Sequence, residues 1–160
     1  MSVDNDANRE GVNEVNGKRT SEIKSAKRPH ELFVLNLIFF HLLAVPGALA
    51  FGFGYWGMVV PLMSSTFLLI YYRRMVSSFK GGGDGWIRGH WEAALARFRW
   101  LYIGYLSVVI LIGLVFLFVD ADSIAFIALT RVAVMPAIVL VLITFVMSTA
   151  AIGRAGNGEE

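Results

Sequence analysis

WLYIGYLSVVILIGLVFLFV, residues 100–119, holds no Asp, Glu, Lys or Arg. The hydrocarbon core of a bilayer is about 30 Å thick and takes roughly 20 helical residues at about 1.5 Å each, so this stretch is long enough to cross once. Working outward, three more charge-free runs of similar length occur at about 32–53, 55–72 and 132–152. The expected fold is therefore all-α: a polytopic membrane protein with four transmembrane helices in an up-down bundle.

Composition agrees with this reading. Of the 160 residues 56% are hydrophobic and 16% charged, and the mean hydropathy is +0.62. A soluble domain runs nearer about 45–50% apolar and about 25% charged, and a disordered chain is poor in apolar residues. Cysteine is absent, which removes disulfides, thiolate nucleophiles, and Cys-ligated zinc or iron–sulfur clusters.

The flanks are polar. Residues 1–31 mix Asp4, Asp6, Glu10 and Glu14 with a later basic group, Lys18, Arg19, Lys24, Lys27 and Arg28. Nothing there repeats well enough to bury a face, so this segment is expected to be a disordered cytoplasmic tail. Residues 73–99 form a loop and 153–160 a short second tail. The loop contains Gly81-Gly82-Gly83-Asp84-Gly85, which lacks the Lys-Ser/Thr of a phosphate loop. After it, Ile87, Trp91, Ala94/Leu95 and Phe98 recur at helical spacing, with Arg88, Glu92 and Arg99 on another face. This predicts a short amphipathic helix over 86–99 on the inner membrane surface, with Arg88, Trp91, Arg97 and Arg99 as its lipid- or partner-facing residues.

Basic residues set the orientation. Thirteen of the fourteen Lys and Arg lie in 1–31, 73–99 and 153–160, and Arg131 is the exception. By the positive-inside rule both termini are cytoplasmic, and the expected location is a bacterial inner membrane or its equivalent. A competing reading takes the first run, with Ala48-Leu49-Ala50, as a secretion signal and its cleavage site; the polar lead of about thirty residues is long for one.

Polar groups in hydrocarbon are costly and become candidate sites. The expected midplane layer is His41 with Ser64, Ser65, Thr66 and Thr144; Asn36 and Ser107 complete the intramembrane polar set. His41 follows Leu32 by nine residues, or about 14 Å of helix. One reading makes this a proton or ligand site. The other makes it interhelical hydrogen bonding, His41 to a Ser or Thr hydroxyl, at about 0.6–2 kcal/mol. Ala44, Ala48 and Gly52 form a small-residue stripe for close helix packing, either inside one bundle or between subunits.

These features narrow the function. No Gly-x-Ser-x-Gly, His-x-x-x-His or buried acid pair is present, so no catalytic, cofactor-binding or metal-binding residue is assigned and an enzyme is not expected. Haem held by His41 and His90 is disfavoured, because one lies near the midplane and the other at the inner surface. The basic residues beside the membrane are explained by lipid, leaving nucleic acid no role. The expected function is a non-catalytic integral membrane subunit, scaffold or assembly factor. Its partners are membrane lipid and either another membrane protein or further copies of itself. The alternative is a small homo-oligomeric transporter or channel built on the His41 layer.

Overall fold

The structure is a computed structural model and describes residues 3–44, 47, 50–52, 59–79 and 85–159. Among these residues the regular structure is entirely helical. Helix α1 spans Val3–Asn36 and passes directly into a π-helical segment, Leu37–Leu43. Helix α2 is Val59–Ser78, α3 is Gly85–Phe118, α4 is Ile124–Ala133 and α5 is Met135–Asn157. Two helical stretches, Gly85–Phe118 and Ile124–Asn157, are long and apolar enough to cross a membrane.

Local chemistry explains the boundaries. Pro61 lies in the first turn of α2, where its missing N–H leaves no helix bond unmade. Ser123 caps α4: its Oγ accepts from Phe126 N at 3.1 Å and donates to the Asp120 carbonyl at 2.6 Å. Pro136 stands at the start of α5; it has no N–H to give the carbonyl four residues back, so the helix breaks at Val134 and restarts. Gly158 ends α5 at φ 77°, and Glu159 N returns to the Arg154 carbonyl at 3.0 Å. That left-handed cap is open to glycine at little strain.

The core lies where α1, α2, α3 and α5 meet, towards the ends that carry the basic residues. Phe33, Leu37, Tyr72, Trp91, Ala94, Phe98, Leu101 and Val141 form it. Phe33 meets Phe98 edge-on at 4.9 Å between ring centres, and Tyr72 meets Trp91 at 5.2 Å and Phe98 at 5.5 Å. Such edge-to-face pairs add about 0.5–1.5 kcal/mol each beyond burial. The Tyr72 hydroxyl also donates to the Pro29 carbonyl, tying α2 to α1. Farther along, α3 and α5 cross closely: a Cβ on Gly104 would lie 3.3 Å from the Ala137 Cα. The outward faces there are apolar, with Val109, Phe116, Leu117 and Val146 all more than 60% exposed.

The structure departs from the sequence expectation in several places. Residues 3–31, expected as a disordered tail, are helical. Over residues 13–36 of α1 the buried positions are Ala26, Pro29, His30, Phe33 and Asn36, a helical spacing of small, ring-shaped and polar residues that a count of apolar positions passes over. The 86–99 segment is not a separate surface helix. It is the first part of α3, and Trp91 and Arg97 are buried against the protein rather than presented to lipid. The stripe that looked membrane-facing packs on α1 and α2. Arg88 and Arg99 remain exposed. The expected fourth run at 132–152 begins earlier, with α4, and continues to Asn157, so most of the expected 153–160 tail is helix. Likewise α2 runs to Ser78, beyond the expected 72. Ala48, the Ala48-Leu49 part of the cleavage reading, 55–58 and Gly81 to Asp84 lie outside the described residues. Of the small-residue stripe, Ala44 closes the π segment and Gly52 sits in a turn at φ 79°.

Candidate functional site

Two polar clusters stand out, one around the half-buried His41 and one around the buried His30. The first lies on the π segment. Asn36 Nδ2 donates to Ser65 Oγ at 3.0 Å, Ser65 Oγ lies 3.3 Å from His41 Nε2, and His41 Nδ1 lies 3.2 Å from the Asn36 carbonyl. A carbonyl can only accept, so His41 Nδ1 carries the proton. Nε2 then accepts from the Ser65 hydroxyl, whose oxygen accepts from Asn36. The circuit is closed and needs no charge.

The other members of the expected midplane layer do not join it. Ser64 Oγ donates to the Pro61 carbonyl at 3.0 Å. Thr66 Oγ1 donates to the Leu62 carbonyl at 2.8 Å and lies 2.9 Å from the Tyr102 hydroxyl. Thr144 is fully buried and bonds back to its own helix, to the Leu140 and Val141 carbonyls at 2.8 and 3.0 Å. Ser107 likewise donates to the Gly104 carbonyl at 2.7 Å.

The second cluster lies at the other end of the core and was not anticipated. Arg97 on α3, 5% exposed, places Nη1 2.6 Å from His30 Nδ1 on α1 and 3.3 Å from Ser148 Oγ on α5. His30 Nε2 lies 3.0 Å from His90 Nδ1. A guanidinium can only donate, so His30 Nδ1 accepts, its Nε2 carries the proton, and that proton is given to His90. Three helices are thus stitched together by one relay that starts at a cation. Burial, then the Arg97 guanidinium, then His90 and Arg154 push His30 down from 6.5 to about 3; the ring is neutral at pH 7. Every charged neighbour named in that balance is basic.

His90 and Arg97 are seven residues apart and share the α3 stripe with Trp91, Ala94, Phe98 and Leu101. That spacing was the available signal. It was masked because Arg97 was counted with the exposed Arg88 and Arg99. The outer pair behaves as surface charge does: Arg88 Nε meets Glu92 Oε1 at 2.7 Å, the one ion pair among the described residues. His41 and His90 are not brought together, since each pairs elsewhere. Among the described residues no group of three His, Asp or Glu is placed to hold a metal ion.

Comparison with protein-family models, characterised sequences and solved structures finds no match to this chain.

Proposed function

We propose that the chain is a four-span integral membrane protein with both termini in the cytoplasm, acting as a non-catalytic subunit or assembly scaffold of a membrane complex. The observation that supports this most is the closed Asn36–Ser65–His41 circuit. Polar groups inside apolar helices serve either a moving ligand or the packing of the helices themselves. A site for a moving ion leaves ligands turned to a path. Here the three side chains and the Asn36 carbonyl pair with one another, and Ser64 and Thr144 bond to their own helix backbone. The Asn36–Ser65–His41 circuit therefore works as interhelical glue, and the reading assigns the chain no catalytic step.

A second reading, a small homo-oligomeric transporter or channel, draws on one observation: His41 sits in a π-helical segment, a distortion found often at functional sites. Gentle detergent purification followed by native mass spectrometry separates the two. A fixed stoichiometric complex with a larger membrane protein is expected. A pure homo-oligomer that conducts ions in liposomes would overturn the subunit reading. Topology is tested by Asn5→Cys and Asn157→Cys. Both should react with an impermeant thiol reagent only after the cell interior is opened, and labelling in intact spheroplasts would refute cytoplasmic termini.

A further inference from the structure

The Arg97 cluster opens onto a cavity of about 260 Å3, walled by His30, Trp86, Gly89, His90, Arg97 and Arg154 among others. Its electrostatics are one-sided. Arg97 stays protonated in any protein setting, and burying a guanidinium without an opposite charge is strongly unfavourable. The hydrogens of Nη1 go to neutral acceptors, His30 and Ser148, while Nε and Nη2 have no acceptor among the described residues. Arg154, exposed, brings a second guanidinium to the mouth. Helix α3 begins at the same wall, at Gly85. Its first-turn N–H groups have no partner within the helix, and its dipole is positive there. No carboxylate among the described residues lines the cavity.

We propose that this cavity binds a phosphate group, presented either by an anionic phospholipid headgroup or by a free phosphate species. Two guanidiniums and a helix N-terminus supply planar forks and aligned donors that match phosphate oxygens. At about 260 Å3 the space falls below the roughly 300–1,000 Å3 of drug-sized pockets, so it suits a small polar group. Arg97 lies three residues before position 100, about 4.5 Å of helix from the start of the expected span. A headgroup of the inner leaflet and a soluble anion can both reach it. The site does not depend on the subunit reading, because a scaffold and a transporter would carry it equally.

The test uses the full chain in nanodiscs of pure phosphatidylcholine, titrated with inorganic phosphate by calorimetry. A parallel arm uses nanodiscs with about one-quarter phosphatidylglycerol, with retained lipid counted by native mass spectrometry. Binding is expected in at least one arm; the phosphate arm assigns a free anion, and the lipid arm alone assigns a headgroup. Arg154→Gln and Gly89→Leu should each weaken it about tenfold. Both variants should fold, since Arg154 is exposed and a Cβ on Gly89 meets nothing within 4 Å; thermal midpoints check this. Arg88→Gln, outside the cavity, should leave binding unchanged. The site is refuted by silence in both arms, by full binding in Arg154→Gln and Gly89→Leu, or by an equal loss in Arg88→Gln, which would reduce the effect to diffuse surface charge.

Discussion

His30 and His41 stand eleven residues apart on one uninterrupted helical run, and their surroundings differ in charge. His41 is held by the Ser65 hydroxyl and the Asn36 carbonyl, both neutral. His30 is held by a guanidinium and a second imidazole, with another arginine nearby. The contrast follows the solvent. On the proposed four-span reading, His41 lies in an apolar span where no counter-ion can be borrowed, so the polar groups close on each other. The His30 cluster borders a cavity also walled by the exposed Arg154, where water and anions are within reach and an unbalanced cation can be kept.

The largest expected effect of this difference is in pH dependence. The folded His30 titrates near 3 and the unfolded one near 6.5. Between these values the unfolded chain binds a proton that the folded chain refuses, so stability is full above pH 6.5 and is lost as pH falls towards 3. The slope approaches about 1.4 kcal/mol per pH unit, a few kcal/mol across the window. SDS unfolding in mixed micelles at stepped pH should show this for the native chain. His30→Gln keeps an acceptor for Arg97 and a donor for His90 and should flatten it. Equal slopes in both proteins would break the contrast.

Next in size is Arg97→Met. It leaves the His30 and Ser148 acceptors without their donor, at about 1–3 kcal/mol for an unsatisfied buried group, partly offset by the removal of a buried charge. A net loss of about 1–3 kcal/mol is expected in the same assay, together with a raised His30 pKa, since one of the cations holding it down is gone. Loss of stability without that upward movement would mean that Arg97 acts on packing alone. His41→Ala should cost less, about 0.6–2 kcal/mol at neutral pH. Unchanged stability together with lost conductance in liposomes would favour the transport reading.

The apolar helices were legible because length and absence of charge are decisive for a helix meeting lipid. Residues 100–119 lie in the helix they suggested, but for the last position, and the His41–Ser65 contact was anticipated as a type of bond. The Arg97 cluster was not legible, for a specific reason. Its members come from α1, α3 and α5, and a sequence pattern that predicts disorder over 1–31 gives His30 no packing partner. Arg97 then read as one more basic residue beside the membrane. Polar residues on a buried stripe break the hydrophobic period that identifies the stripe, and only the packing partner restores it. The same blindness turned the start of α3 into a surface helix: its apolar face was real, and its cover was the segment set aside.

The smallest expected effect lies at Thr144, and it is the sharpest test of whether the midplane layer is more than glue. The residue is fully buried, and its hydroxyl returns to carbonyls of its own helix. Thr144→Val keeps the shape, removes the hydroxyl and leaves those carbonyls their backbone partners. Exchange of a polar group for an apolar one of the same shape is then close to neutral, within about 0.5 kcal/mol. A functional layer predicts otherwise, because a hydroxyl that contacts a moving ion can be lost without any change in fold while transport falls. Equal stability with unchanged complex formation leaves Thr144 as packing. Equal stability with lost conductance in liposomes would move Thr144 from structure to function and favour the transport reading.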